Sequence, residues 1–187
     1  MCEKTLDLGN DYRANVVHDP YAEKPDIDSG APVVSISDGW VYNFDASDDK
    51  YADYVRNFVS HFGNDWDLLE RALKIVFDCT TVYQVDTRYA TYFCFDPEEN
   101  CGTYANHIRA NIVNDTAKEY EAYANGECYG VVVEERITGR KVFDNGSSDE
   151  VFEEWQEIDS VWGFYGDWIL DDDNLREVAL DFVPAEN

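Results

Sequence analysis

Val151-Phe152-Glu153-Glu154-Trp155-Gln156-Glu157-Ile158-Asp159-Ser160-Val161-Trp162 decides the architecture, because it supports two readings. Val151, Trp155, Ile158 and Trp162 recur at helical spacing, whereas the β-branched, aromatic end over residues 158–164 suits a strand. The strand reading is adopted here, and it predicts pairing back onto residues 128–135. Residues 128–137 are then a strand as well, Thr138-Gly139-Arg140 turns the chain, and residues 144–148 form a loop.

Working outward, a last helix is expected near Asp171-Asp172-Asp173, an acidic start suited to the positive end of a helix dipole. It would carry Leu175, Val178, Ala179 and Phe182 inward. Upstream, residues 104–124 return to helical spacing, with Asn114-Asp115 as an interruption or a second cap and Gly126 as the stop. Residues 79–85 and 89–95 read as an antiparallel pair joined by Asp86-Thr87-Arg88, with residues 96–100 a loop. Tyr51, Tyr54, Val55, Phe58, Val59 and Phe62 form one apolar stripe at the helical period. Asp48 and Asp49 suit that helix's first turn, and Gly63 ends it. Asn64 or Asp65 caps a second helix running through Phe77. Residues 33–37 and 40–44 are short strands about Asp38-Gly39. Residues 1–32, punctuated by Pro20, Pro25 and Pro32, read as a loosely structured N-terminal arm. The expected fold is α+β: an antiparallel sheet covered by helices, one domain over 33–187 with a strongly acidic part at 144–187.

Several stretches are similar to a recurrent group of small acidic proteins of actinobacterial phages and mobile elements. They are Phe62-Gly63, Asp67-Leu68-Leu69-Glu70-Arg71-Ala72-Leu73-Lys74-Ile75, Thr80-Thr81-Val82, Gly126-Glu127-Cys128-Tyr129-Gly130-Val131-Val132-Val133-Glu134 and Asp159-Ser160-Val161-Trp162-Gly163-Phe164-Tyr165-Gly166. The resemblance covers about residues 60–183. It implies a mobile-element product acting in a bacterial cytoplasm, and carries no catalytic residues with it. Gly163 and Gly166 read as letting the aromatic residues turn tightly.

The chain has 187 residues, enough for one sizeable core, and 44% hydrophobic residues to fill it. Its longest aliphatic run, Val131-Val132-Val133, is far short of a membrane span. Residues 2–25 contain no apolar stretch, so no secretory leader is expected. Five cysteines without framework spacing suit reduced thiols in a cytoplasm.

Catalytic and metal chemistry find little footing. Asp45, Asp48 and Asp49 lack the spacing and the glycine of a calcium loop, and His18, His61 and His107 stand far apart without a Cys-x-x-Cys. Cys101 and His107 could make a thiol–imidazole dyad, and any acidic chain offers carboxylate pairs, but nothing selects one. No catalytic residue, metal or cofactor is expected.

Charge is the distinctive quantity. Forty acidic against 14 basic residues give a net −26, and residues 144–187 hold 14 acidic residues against Arg176 alone. Such a balance argues against direct nucleic-acid binding and attachment to anionic membranes, and favours a basic partner or a solvent salty enough to screen the charges. The candidate interface is Asp149, Glu150, Glu153, Glu154, Glu157, Asp159, Asp167, Asp171, Asp172, Asp173 and Glu177, interleaved with Trp155, Trp162 and Trp168. The expected function is a DNA-mimic inhibitor: carboxylates fixed on a folded scaffold occupy the cationic DNA-binding channel of a bacterial defence nuclease or effector complex. A homodimer would lengthen the charge track. The alternatives are a salt-adapted acidic domain and a small carboxylate or cysteine enzyme.

Overall fold

Asp65 and Asp171 each sit one residue before an apolar helical stripe, and in the computed structural model each caps a helix as that position dictates. The structure describes residues 2–25, 31–37, 40–43, 50–141 and 150–184. In chain order they form β1 (Cys2–Gly9), β2 (Tyr12–His18), β3 (Val33–Ser37), β4 (Trp40–Asn43), α1 (Lys50–Phe62), α2 (Trp66–Val76), β5 (Val82–Asp86) and β6 (Thr91–Phe95). There follow α3 (Glu98–Cys101), α4 (Asn106–Asn125), β7 (Cys128–Lys141), β8 (Glu150–Tyr165), a 3-10 turn (Asp167–Leu170) and α5 (Asp172–Leu180). The chain is α+β with antiparallel sheets, and its contacts divide it into two compact units, Met1–Glu23 with Gly126–Asn187, and Lys24–Asn125.

The first unit is a four-stranded sheet in the order β1-β2-β7-β8. Ala14, Val16, Val131 and Val133 project from one face onto Ile169, Leu175 and Ala179 of the 3-10 turn and α5, all of them buried. The second unit is a sheet in the order β4-β3-β6-β5, covered on both faces. Val34, Ile36, Phe93 and Phe95 pack under α1 and α2, whereas Val33, Val85, Tyr92 and Cys94 meet Val113, Ala117 and Tyr120 of α4. Burial on both sides explains why residues 92–95 are continuously apolar rather than alternating.

Several expectations change in the folded chain. There are two sheets rather than one, because the strands at either end of the sequence pair with each other. Residues 1–32, expected as an arm, divide: β1 and β2 supply half of the first sheet, and 26–30 lie outside the described residues. Gly9, Asn10 and Asp11 all take positive φ to turn β1 into β2. Thr138-Gly139-Arg140 is not a turn but part of β7, since the Phe152 ring lies across Gly139, where a Cβ would come within 2.6 Å of it. The loop expected at 96–100 holds the short α3, and Asn114-Asp115 does not interrupt α4. The Asp38-Gly39 turn and Asp45, Asp48 and Asp49 lie outside the described residues.

The second unit buries one ionic cluster. Arg109 of α4 is 4% exposed and donates through Nε to Asp96 Oδ2 (2.8 Å), through Nη1 to Glu98 Oε2 (2.5 Å) and through Nη2 to the Asp96 carbonyl (2.6 Å). Asp96, fully buried, also accepts from Thr80 Oγ1 and the Thr81 N–H. Removing one partner strands the other's charge in a low-dielectric interior. Arg109→Ala is therefore expected to cost about 3–5 kcal/mol in urea unfolding followed by circular dichroism. The double replacement of Arg109 and Asp96 by alanine should cost less than the two single losses added together.

Candidate acidic interface

Strand parity governs where the acidic side chains point. Across from β8, Val131 pairs with Val161 on the core face, whereas Glu134, Arg136 and Thr138 pair with Glu157, Trp155 and Glu153 on the face opposite α5. Two register shifts interrupt β8, each inserting one residue: Ile158 near Val133, and Gly163 near Tyr129. The Ile158 insertion brings Trp155 and Trp162 to the same face despite their odd spacing. Trp162 covers Gly130 there, whose Cβ would otherwise lie 2.2 Å from the ring, and is itself 48% exposed.

On this face the basic residues hold some carboxylates and leave others. Arg13 donates from Nε to Glu134 Oε2 at 2.6 Å and lays its guanidinium 4.2 Å from the Trp155 ring centroid. Asn15 Nδ2 donates to the same Glu134 oxygen, and Thr5 Oγ1 orients Asn15. Arg136 donates from Nε to Asp11 at 2.8 Å, and its Nη1 stands 3.9 Å from Glu153 Oε2. Glu154 and Glu157 have no cation in ion-pair range among the described residues.

The remaining predicted residues are distributed as follows. Asp149 lies outside the described residues, and Glu150 opens β8. Glu153 and Glu157 flank Trp155 on the face opposite α5, and Glu154 points to the other side. Asp159 sits across from Val133, and its carboxylate accepts from the Ser160 N–H at 2.8 Å. Asp167 opens the 3-10 turn. Asp171 accepts from the N–H groups of Asp173 and Asn174, so it serves as a cap. Asp172 is paired with Lys4 Nζ, and Asp173 and Glu177 are exposed on α5. The fold thus divides the residues between opposite faces of one sheet, Glu153 and Glu157 on one and Glu154, Asp159 and the α5 residues on the other, and not into a single ribbon.

Cys79, Cys94, Cys101 and Cys128 are buried and only Cys2 is exposed. Burial pushes the Cys79 and Cys94 thiols up to about 12. It also raises Cys101, aided by the Asp96 carboxylate and opposed by Arg109. A thiol held protonated is a poor nucleophile, and His107, which could have paired with Cys101 in a dyad, is exposed on α4. Among the described residues no group of His, Cys, Asp or Glu is arranged to hold a metal ion.

The contribution of β1 and β2 to this interface escapes a reading of periodicity. The available signal was the alternation of Leu6 and Leu8, then Ala14 and Val16, about Gly9-Asn10-Asp11.

Two outcomes are expected. A thiol reagent at pH 8 should label about one cysteine per native chain quickly, the other four reacting only after unfolding. Asp171→Ala should lower stability by about 1 kcal/mol through the lost cap, measured by thermal unfolding at fixed salt.

No helix in the described residues is long and apolar enough to cross a membrane. Comparison with protein-family models, with curated proteins and with solved structures gives no match.

Proposed function

We propose that this protein is a DNA-mimic inhibitor, which occupies the cationic DNA-binding channel of a bacterial defence nuclease or effector complex. The observation that carries this reading is the excess of fixed carboxylates in the first unit. That unit holds 22 acidic against six basic residues, net −16, compared with −10 for the second unit. Glu154 and Glu157 are set on a paired strand and Asp173 and Glu177 on a capped helix, with no cation in ion-pair range among the described residues, whereas Glu153 on the same strand has Arg136 Nη1 3.9 Å away. Carboxylates held on regular structure lose little freedom on binding, unlike those of a mobile tail. Two acidic groups on opposite faces of a sheet suit a channel that surrounds its ligand, since a duplex too carries phosphate on more than one side. Aromatic residues beside them, Trp155 and Trp162, supply apolar contact area. The choice of a defence system as target, and of the bacterial cytoplasm as the place of action, rests on the resemblance to mobile-element proteins. CRISPR effector complexes and restriction-modification enzymes are the candidate targets.

The test is competition. The protein should displace a labelled duplex from a purified CRISPR effector complex or restriction enzyme at near-stoichiometric amounts in low salt. The effect should fade as ionic strength approaches ~1 M, where screening falls to about 3 Å. Asp173→Lys with Glu177→Lys should weaken displacement at least about tenfold, by reversing charge at a cationic surface. Failure of the folded wild-type protein to displace DNA from members of either class, at any salt, would remove this reading. Unfolding in low salt with recovery in high salt would instead mark a salt-adapted domain.

A further inference from the structure

We infer that the open edge of β8 accepts an extended basic peptide segment as a fifth strand, with cations opposite Glu153 and Glu157. This rests on the reading of a cationic partner above and specifies how part of that partner would bind.

The direction of the backbone groups decides what this edge offers. β8 is the last strand in the order β1-β2-β7-β8, so among the described residues one of its sides has no neighbouring strand. The Arg136 N–H donates to the Asp11 carbonyl (2.7 Å) and the Cys128 carbonyl accepts from the Asp19 N–H (2.8 Å). Both groups belong to β7 and both point toward the β2 side. Because β7 runs without an inserted residue, alternation turns every second residue between them the same way. Their partners on β8 therefore direct N–H and C=O away from β7: Val151, Glu153, Trp155, Glu157, Ser160 and Trp162. Ser160 is consistent with this, since its N–H is taken by the Asp159 carboxylate rather than by β7. The stretch from Val151 to Glu157 is left with outward backbone groups on four residues, enough to pair with a short strand.

Side chains then select the occupant. Residues that face outward through the backbone also share the face opposite α5, so a strand docked antiparallel places its own alternate side chains beside Glu153, Trp155 and Glu157. The matching pattern is a cation, an apolar residue and a second cation at positions i, i+2 and i+4. Trp155 already holds the Arg13 guanidinium against its ring, and its own environment is acidic. A second copy of β8 fits poorly: antiparallel pairing centred on Trp155 sets Glu153 opposite the other copy's Glu157, and directly opposed like charges destabilise a sheet. The carboxylates that guard this edge against self-pairing are the ones that admit a basic strand.

Three blocked peptides test it against the intact protein by calorimetry and by backbone amide NMR. The first is Lys-Thr-Val-Thr-Lys. The second is the same peptide N-methylated at both Lys and at Val, whose N–H groups would face β8. The third is N-methylated at the two Thr, whose N–H groups would face away. All three carry the same charge. The first and third should bind with comparable affinity, with shifts concentrated at Glu153, Trp155 and Glu157. The second should bind at least about tenfold more weakly, from the loss of three backbone donors. Glu153→Gln with Glu157→Gln should weaken the first peptide by roughly threefold to tenfold. Equal binding of all three peptides, or no binding of any, overturns the strand-addition proposal. In either case the DNA-displacement result stands or falls separately. Peptide binding without DNA displacement would retain the edge site and remove the DNA-mimic reading.

Discussion

The antiparallel ladder between β2 and β7 is the constraint on which the first unit depends. It joins Tyr12 to Glu135 and His18 to Tyr129, residues more than a hundred positions apart in the chain. Without it β1 and β2 would have no sheet to extend, and Ala14 and Val16 would not reach Ile169, Leu175 and Ala179. The placement of α5 over that face follows, and with it the separation of the acidic residues into a helical group and a strand group. Such pairing is non-local, and the entropy of closing the loop between its strands must be met before its contacts form.

Charge works against this assembly, and the two units meet it differently. The second buries an arginine–carboxylate cluster in which every fixed charge has a partner, with sheets sealed on both faces. The first keeps its apolar contacts to one face and spends its few cations locally: Arg13 on Glu134, Arg136 on Asp11, Lys4 on Asp172. What is left over is a surplus of carboxylates on rigid elements. That surplus is the distinctive chemistry of the first unit's described residues.

Much of the local structure was legible in the residues. Of the stripe expected from Tyr51 to Phe62, Tyr51, Val55 and Phe58 lie buried in α1 and Phe62 at its end is exposed; Asp65 and Asp171 cap their helices, and Gly63 and Gly126 adopt the left-handed conformation expected after a helix. The contested stretch from Val151 to Trp162 is strand, paired with β7 as its aromatic and β-branched end implied. The acidic site was legible only as a list. Glu153, Glu157 and Asp159 share sequence parity, yet the residue inserted at Ile158 places Asp159 across from Val133 and Glu157 across from Glu134. Asp171 and Asp172 were read as interface residues, whereas one caps α5 and the other is engaged by Lys4.

By itself the sequence determined the kinds of most elements between residues 33 and 183, and the segregation of charge toward the C-terminal part, but not β1, β2 or α3. These are properties of neighbours within a few positions, where side-chain periodicity, capping and turn chemistry act directly. Only the tertiary structure decided which strands share a sheet, which carboxylates share a face and which edge is left open. Those depend on register and on single inserted residues between distant strands, and one such insertion reverses the face of everything beyond it.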